Sequence, residues 1–353
     1  MNAKGLICVV FLAAVSPLAT AAQGFAGLGQ TAEGFAIPDP ATRFSFPADH
    51  GAHPTFRVEW WYVTATLTGP DGTDYGAQWT LFRTALAPEE TGSTGWTSPQ
   101  LWMGHAAITT PDRHLFAERL ARGGVGQAGV QAVPFEAWID NWQMTSTAAA
   151  GQDALSGLTL TAGGEGFSYN LALQATGPIV AQGVQGYSVK SAAGQASHYY
   201  SQPFYTVTGD LVLGEARIPV TGQAWLDREW SSQPLGQDQT GWDWFSLMFE
   251  DGARMMGFRL RDGGAGYTSA TWIDADGTAT PAPPNALRAT PLTVQGGVPV
   301  TWRLEWPERG VDVTLSALNA GAFMARSVPY WEGPVRIAGS HKGRGYLEMT
   351  GYE

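Results

Sequence analysis

Short segments in which every second residue is apolar recur along almost the whole chain, each bounded by residues typical of turns. Because successive side chains of a strand point to opposite faces, this period of two predicts half-buried β-strands. About sixteen such segments are present, more than one small barrel holds. Asp251-Gly252 and Asp276-Gly277 join neighbouring segments, as expected of hairpin turns in which glycine adopts a positive φ. The pattern predicts an all-β protein with two antiparallel barrels or sandwiches.

The composition narrows the class of protein further. Charged residues make up 14% of the chain, against about 25% in an average protein. This low fraction argues against a coiled coil and against a charge-rich disordered tail. The net charge of −11 repels phosphate backbones, so we expect no nucleic-acid partner. Aromatic residues reach 12%, with 15 tryptophans, which predicts aromatic interior surfaces.

Residues 1–22 have the organisation of a cleaved export signal. Lys4 precedes an apolar run from Leu6 to about Leu18, and small residues follow with cleavage expected near Ala21 or Ala22. The alternative is a membrane anchor, but about 20 apolar residues are needed to span a bilayer and this run is shorter. We expect a periplasmic or secreted protein. Its single cysteine lies in this segment, so the mature chain would hold no disulfide and no thiolate nucleophile.

The remaining chain divides into two parts by its strand pattern. We place an N-terminal domain at residues 43–220 and a C-terminal domain at 221–353. No change of composition typical of a linker marks the boundary between them. The segment from His114 to Arg122 has the residue types of a short helix. Residues 277–299 are rich in Pro, Ala and Thr and are expected to form a long loop.

Carboxylates recur on strand faces that are otherwise apolar. Glu59 shares a face with Trp61, and Asp243 shares one with Phe245. Burial of a carboxyl group raises its pKa and can keep it protonated, which is what a general acid requires. The alternative is a structural ion pair. The available partners are Arg57 for Glu59, and Arg83, Arg228, Arg259 or Arg261 for Asp243.

The segment from Trp225 to Trp230 carries the densest group of charges. If it is extended, Asp227 and Glu229 lie on the face of Trp225, and Arg228 lies on the face of Trp230. Two carboxylates beside indole rings could perform acid–base chemistry or anchor arginines across the domain junction. Both interpretations stay open at this point. Glu348 lies in a segment that we interpret as a closing barrel strand.

Motifs for other chemistries are absent or out of context. Residues 124–129 match the dinucleotide fingerprint in letters, but the expected βαβ pattern does not surround them. We find no phosphate-binding loop and no nucleophile elbow. His50 and His53, with His105, have a spacing that could bind one metal ion, but nothing else supports this and we predict no metal site and no cofactor.

Several motifs together resemble one known family, the secreted lipocalin-like proteins related to carotenoid 1,2-hydratase (hydroxyneurosporene synthase), whose bacterial members are often named predicted secreted hydrolases. The similarity covers nearly the whole mature chain. The motifs that carry it are residues 53–67, with Glu59-Trp60-Trp61-Tyr62, and residues 76–83, 104–106, 199–203, 227–233, 241–245, 330–334 and 345–352. The resemblance implies two lipocalin-like (calycin) β-domains packed together, with a lipophilic cavity near their junction.

The resemblance also implies a reaction. The hydratases add water to an isolated C=C bond without a cofactor, which needs a protonated acid in an apolar pocket and aromatic faces that stabilise a carbocation. Asp243 and Asp227 are the candidate acids, with Glu229 and Glu59 as further catalytic candidates. The expected substrate-binding residues are Trp61, Tyr62, Arg83, Trp242, Trp244 and Arg259.

One strand departs from the hydratase pattern. As we interpret the resemblance, the hydratases carry a working acid in the strand after the Trp242-Asp243-Trp244 segment. Residues 255–261 here contain Arg259 and Arg261 and no carboxylate. A strict carotenoid hydratase is therefore disfavoured, and we expect a lipophilic ligand with an anionic or polar head.

Three functions follow from these features. The first is an exported, cofactor-free hydratase or hydrolase that acts on an isoprenoid-like or lipid substrate by acid–base chemistry. The second is a non-catalytic periplasmic carrier of a lipophilic molecule, as lipocalin-like cavities allow. Carbohydrate binding is the weakest, because most tryptophans lie inside strand patterns and not on loops. The partner in the first two is a small lipophilic molecule, with transient contact with a membrane surface.

Overall fold

A computed structural model describes residues 28–29, 32–88 and 95–352. The predicted signal peptide lies outside these residues. The described chain is all-β and forms two antiparallel sheets, one a nearly closed barrel and the other a half-barrel. This confirms the predicted fold class. Within the described residues, no helix has the length and apolar character needed to cross a bilayer.

The first sheet contains thirteen strands in the order β4-β3-β2-β1-β13-β12-β9-β8-β7-β6-β5, with β10 and β11 paired to β12. Their bounds are β1 Val58–Thr68, β2 Asp74–Ala85, β3 Gln100–Thr109, β4 His114–Arg122, β5 Ala128–Ala132, β6 Phe135–Ile139, β7 Trp142–Ser146, β8 Gly157–Gly164, β9 Phe167–Ala175, β10 Val180–Ala181, β11 Tyr187–Val189, β12 Ala196–Leu213 and β13 Ala216–Ser231.

The second sheet contains ten strands in the order β17-β16-β15-β14-β23-β22-β20-β19-β18, with β21 paired to β22. Their bounds are β14 Gly241–Phe249, β15 Arg254–Arg261, β16 Tyr267–Ile273, β17 Ala279–Pro281, β18 Arg288–Gln295, β19 Val298–Trp306, β20 Val311–Ala317, β21 Phe323–Met324, β22 Tyr330–Gly339 and β23 Gly343–Thr350. Short 3-10 helices lie at Ala48–His50, Gly95–Thr97, Ala154–Ser156 and Pro307–Arg309.

Three apolar clusters follow from the alternation of side chains along these strands. One fills the first barrel and includes Trp61 and Trp230. A second lies inside the half-barrel and includes Phe245 and Trp302. The third is formed by the opposite faces of strands from both sheets, with Tyr62, Trp225 and Trp244 among its members. The two sheets are therefore joined by an aromatic layer of their own.

Two local predictions of secondary structure were wrong. The segment His114–Arg122 is strand β4 and not a helix, because it pairs along its whole length with β3, and such pairing outweighs helix propensity. The predicted loop at 277–299 contains β17 and most of a hairpin, β18 with β19.

The boundary proposed between residues 220 and 221 falls inside β13, which pairs with β1 and β12 on both sides of that point. The chain passes from the first sheet to the second between Ser231 and Gly241.

A glycine on β2 allows the two sheets to approach closely. A Cβ atom at Gly76 would lie 2.6 Å from Cδ of Pro334 and 2.9 Å from the Tyr346 hydroxyl, both in the second sheet. We expect Gly76→Val to separate the sheets and to lower the free energy of unfolding by about 1–3 kcal/mol, as overpacking does. Urea denaturation measures this effect. Gly264→Ala, at an exposed glycine with only the Asp262 side chain nearby, is the matched control. Equal stability of the two variants would show that the sheets do not pack tightly at this contact.

Candidate active site

A cavity lies in the aromatic layer between the two sheets. Its volume, measured as the space open to the centre of a water molecule, is about 140 Å³. The first barrel contributes residues of β1, β2, β12 and β13, and the half-barrel contributes residues of β14, β15 and β23. The aromatic lining residues are Trp60, Tyr62, Phe82, Tyr199, Trp242, Trp244 and Phe258. The expected location of a cavity near the domain junction agrees with this geometry.

Four carboxylates line the cavity, and Glu348 differs from the other three. Glu59, Asp227 and Glu229 are 0%, 2% and 4% exposed, whereas Glu348 is only partly buried. Trp242 donates its indole N–H to Glu348 Oε1 at 2.6 Å, and the nearby carboxyl groups of Asp227 and Glu229 disfavour ionisation of Glu348. Desolvation raises the pKa of Glu348 to about 7. It is therefore a carboxyl group that can hold a proton at neutral pH and face a ligand.

Asp227 is held more tightly. Its two oxygens accept hydrogen bonds from the Tyr199 hydroxyl at 2.6 Å, the Ser201 hydroxyl at 2.5 Å and the Trp225 indole at 2.6 Å. Burial raises its pKa to about 7 although these donors favour the ionised form. Trp244 also donates to the Tyr199 hydroxyl, at 3.1 Å. Asp227 therefore fixes the orientation of Tyr199 on the cavity wall.

Glu229 is paired with a buried lysine. The Lys190 ammonium lies 2.8 Å from Glu229 Oε1, and Ser197 donates to the same oxygen. The ammonium also lies over the rings of Tyr199 and Phe258, at 4.8 and 4.4 Å from their centroids. Lys190 lines the cavity. This cation is the group best placed to meet the polar or anionic end of a ligand.

Glu59 forms a buried ionic cluster at one end of β1. Arg83 and Arg228 both bond its carboxylate, and the backbone N–H of His53 donates to Oε1 at 2.8 Å. Desolvation opposes ionisation, but the two guanidinium groups outweigh it and lower the pKa of Glu59 far below its ordinary value. Glu59 thus belongs to a structural ion pair, the alternative that the sequence left open, with Arg83 and Arg228 as the observed partners where the sequence suggested Arg57. An anionic Glu59 cannot serve as a proton donor at neutral pH.

Three of the predicted site residues lie away from the cavity lining. Asp243 is on the inner face of the half-barrel, where Arg261 bonds it and the Tyr352 hydroxyl donates to it at 2.9 Å. Burial raises the pKa of Asp243 to about 6, and Arg261 opposes that shift. Trp61 packs inside the first barrel. Arg259 alternates along β15 with Phe258 and Leu260, which are the residues of that strand that line the cavity.

Reasoning from the sequence missed Glu348, Glu332 and Lys190 as site candidates. Glu332 is buried on β22 and accepts a hydrogen bond from the Tyr62 hydroxyl, so it holds this residue of the cavity wall in place. Alternation along β23 carried a usable signal, because Glu348 shares a face with Tyr346. Lys190 follows the short strand β11, and no local pattern predicts its approach to Glu229.

The three histidines considered as metal ligands have separate partners. His50 bonds Tyr200 and Asp153, His53 bonds Asp49 and Glu59, and His105 bonds Tyr330 and Glu118. In the part of the chain that the structure describes, no group of three or more His, Cys, Asp or Glu side chains is arranged to hold a metal ion.

Comparisons with known proteins agree with this architecture. The family model described as AttH-like matches residues 37–352. A crystal structure of a candidate AttH protein from Nitrosomonas europaea is similar, with 31% identity, a TM-score of 0.78, and 90% of this chain and 99% of that chain covered. No curated protein sequence matches.

Two more distant crystal structures share the fold. Kievitone hydratase from Nectria haematococca has 16% identity and a TM-score of 0.63, with 90% of this chain and 98% of that chain covered. CghA with Sch210972 has 15% identity and a TM-score of 0.56, with 91% and 97% covered. At these identities the similarity extends to the fold alone.

Proposed function

This chain belongs to the AttH-like family, and from that premise we propose that it is a cofactor-free enzyme that acts on a lipophilic substrate by acid–base chemistry in the cavity between the two sheets. The family match confirms the resemblance carried by the motifs of residues 59–62 and 227–230. The substrate class that we propose is an isoprenoid-like molecule or a lipid. The reaction is hydration or hydrolysis.

Glu348 is the observation that carries this proposal. Glu348 combines a raised pKa with a half-buried position in the cavity lining and a surrounding wall of aromatic rings. In a hydration, the Glu348 proton adds to one carbon of the double bond and a cation develops on the other carbon. The faces of Trp60 and Trp242 stabilise that cation. Water then bonds to the cationic carbon and returns one proton to Glu348, which restores the acid.

A carrier is the second candidate function, and one observation favours it. Three of the four carboxylates in the cavity are satisfied by protein donors or cations, as expected of charges that only stabilise a fold. A carrier needs only the apolar walls and the Lys190 ammonium for the polar end of its ligand. The export of the protein to the periplasm or the medium, and its transient contact with a membrane surface, form part of either proposal.

Mass spectrometry of organic extracts distinguishes the enzyme from the carrier. The protein is incubated separately with lycopene, with p-nitrophenyl palmitate and with total lipid from its host. The enzyme predicts a molecule heavier by one water, or a cleaved ester, that is absent when Gln replaces Glu348. The carrier predicts that one apolar molecule is retained unchanged by both proteins. Release of no bound molecule and no product would contradict both functions.

A further inference from the structure

A row of buried polar side chains leads from Glu348 away from the mouth of the cavity. The Tyr62 hydroxyl donates to Glu332 Oε1, and Glu348 lies directly opposite Glu332 in the pairing of β22 with β23. Glu332 is 1% exposed, and no side chain bonds its second oxygen at normal hydrogen-bond distance. In the described chain no cation forms an ion pair with it. A buried carboxyl without a cation holds a proton at neutral pH, and burial raises its pKa well above the ordinary value.

The row continues through the second sheet and returns to the first. Tyr330 lies two residues before Glu332 on β22, so the two side chains are neighbours on one face of the strand. The Tyr330 hydroxyl lies 2.8 Å from His105 Nδ1. His105 Nε2 lies 3.1 Å from Glu118 Oε2. Each neighbouring pair consists of groups that can both give and accept a proton.

Glu118 is the end of the row that meets solvent. Its side chain is 13% exposed, and the Ser327 backbone N–H and hydroxyl donate to it at 3.1 and 2.8 Å. His105, in contrast, is fully buried, and burial lowers its pKa so that it is neutral at pH 7. A neutral imidazole can accept a proton at one nitrogen and release one at the other. The row therefore has a solvent end, an interior and a cavity end.

We propose that these side chains form a proton path between solvent and Glu348 that operates when a ligand fills the cavity. Its members, in order from solvent, are Glu118, His105, Tyr330, Glu332 and Tyr62. This inference rests on the proposed function, because it concerns the acid of the same site. A lipophilic ligand blocks the mouth and separates Glu348 from bulk water. Each member of the row gives up one proton as it takes another, so one proton crosses and every intermediate member regains its protonation state.

The path explains an otherwise costly arrangement. Glu332, Tyr330 and His105 are buried polar groups at a contact between two sheets that apolar side chains could form as well. A merely structural network would hold the sheets together and leave the rate of proton exchange at Glu348 unchanged. The two roles therefore differ in a kinetic property that does not require turnover.

Time-resolved infrared spectroscopy after a pH jump tests the path. The cavity is filled with squalane, a saturated isoprenoid that cannot react, and bound squalane is first measured by mass spectrometry of the extracted complex. The carboxylic C=O band that is lost in Glu348→Gln reports protonation of Glu348. In Tyr330→Phe and His105→Ala, we expect this band to appear at least roughly tenfold more slowly than in the unmodified protein. Imidazole in the medium should restore the rate of His105→Ala.

His114→Gln is the matched control. His114 is a half-buried histidine beside β3, where it bonds Thr109, but it is not part of the row. We expect its variant to keep the rate of the unmodified protein. Equal rates in Tyr330→Phe, His105→Ala and the unmodified protein would overturn the path and leave the proposed function intact. A failure to bind squalane would contradict the lipophilic cavity, and with it both proposals.

Discussion

Glu348→Gln is expected to convert substrate at least ~100-fold more slowly than the unmodified protein, because positioned acids contribute about that much or more to catalysis. Glutamine keeps an oxygen that can accept the Trp242 indole N–H, so the cavity should keep its shape. It has no ionisable proton to give. The rate of product formation, followed by mass spectrometry with the substrate identified above, measures the loss.

The pH dependence of turnover and of stability provides an independent test of the role of Glu348. The pKa of Glu348 is raised to about 7, so the protonated acid is present below that pH and turnover should fall as pH rises through 7. Because folding raises the pKa of Glu348, the free energy of unfolding should fall as pH rises from about 4.3, the ordinary pKa of a glutamate, to about 7. Glu348→Gln should therefore be at least as stable as the unmodified protein at pH 8. Loss of turnover in Asp243→Asn, with full turnover in Glu348→Gln, would assign the acid to Asp243 instead.

Glu59→Gln is expected to lower the free energy of unfolding by about 3–5 kcal/mol, because it leaves two buried guanidinium groups without their anion. Arg83 and Arg228 are 1% and 0% exposed, and both bond this one carboxylate. Urea denaturation at pH 7 measures the change. Asp210→Asn is the matched control, since its partner Arg217 is 73% exposed, and we expect no measurable change there.

The ionic cluster also predicts how stability depends on pH. The folded state lowers the pKa of Glu59, so its contribution is present above the unfolded pKa of about 4.3 and is lost as pH falls below that value. The unmodified protein should lose stability over this window more steeply than Glu59→Gln. Parallel pH profiles for the two proteins would show that Glu59 is not the group responsible.

Alternation along single strands predicted much of the fold. Trp225 and Asp227 share a face and are hydrogen-bonded to each other, and Trp230 lies on the opposite face inside the first barrel, as the period of two required. The segment at His114–Arg122 was mistaken for a helix because its residue types favour helix. Its strand conformation depends on pairing with β3. The helix propensity of a segment carries no information about which strand lies beside it in the fold.

The candidate site was harder to predict, for a physical reason. Its chemistry depends on contacts between the sheets, such as Tyr62 with Glu332 and Lys190 with Glu229. A strand pattern shows which side chains share a face, but it does not show which faces of two sheets meet. Asp243 and Glu348 carry similar local signals, and only the packing of β14 and β23 against β1 places one of them in the cavity.

The pairing of β1 with β13 sets an order of assembly during synthesis. Val58 pairs with Ser231, so the first barrel cannot complete this ladder until most of the chain has been made. The cavity needs still more of the chain, because Glu348 lies on the last strand. A nascent chain therefore has no complete site before strand β23 has been made. This late closure is compatible with the export that we propose, because the site would then form only after strand β23 has crossed.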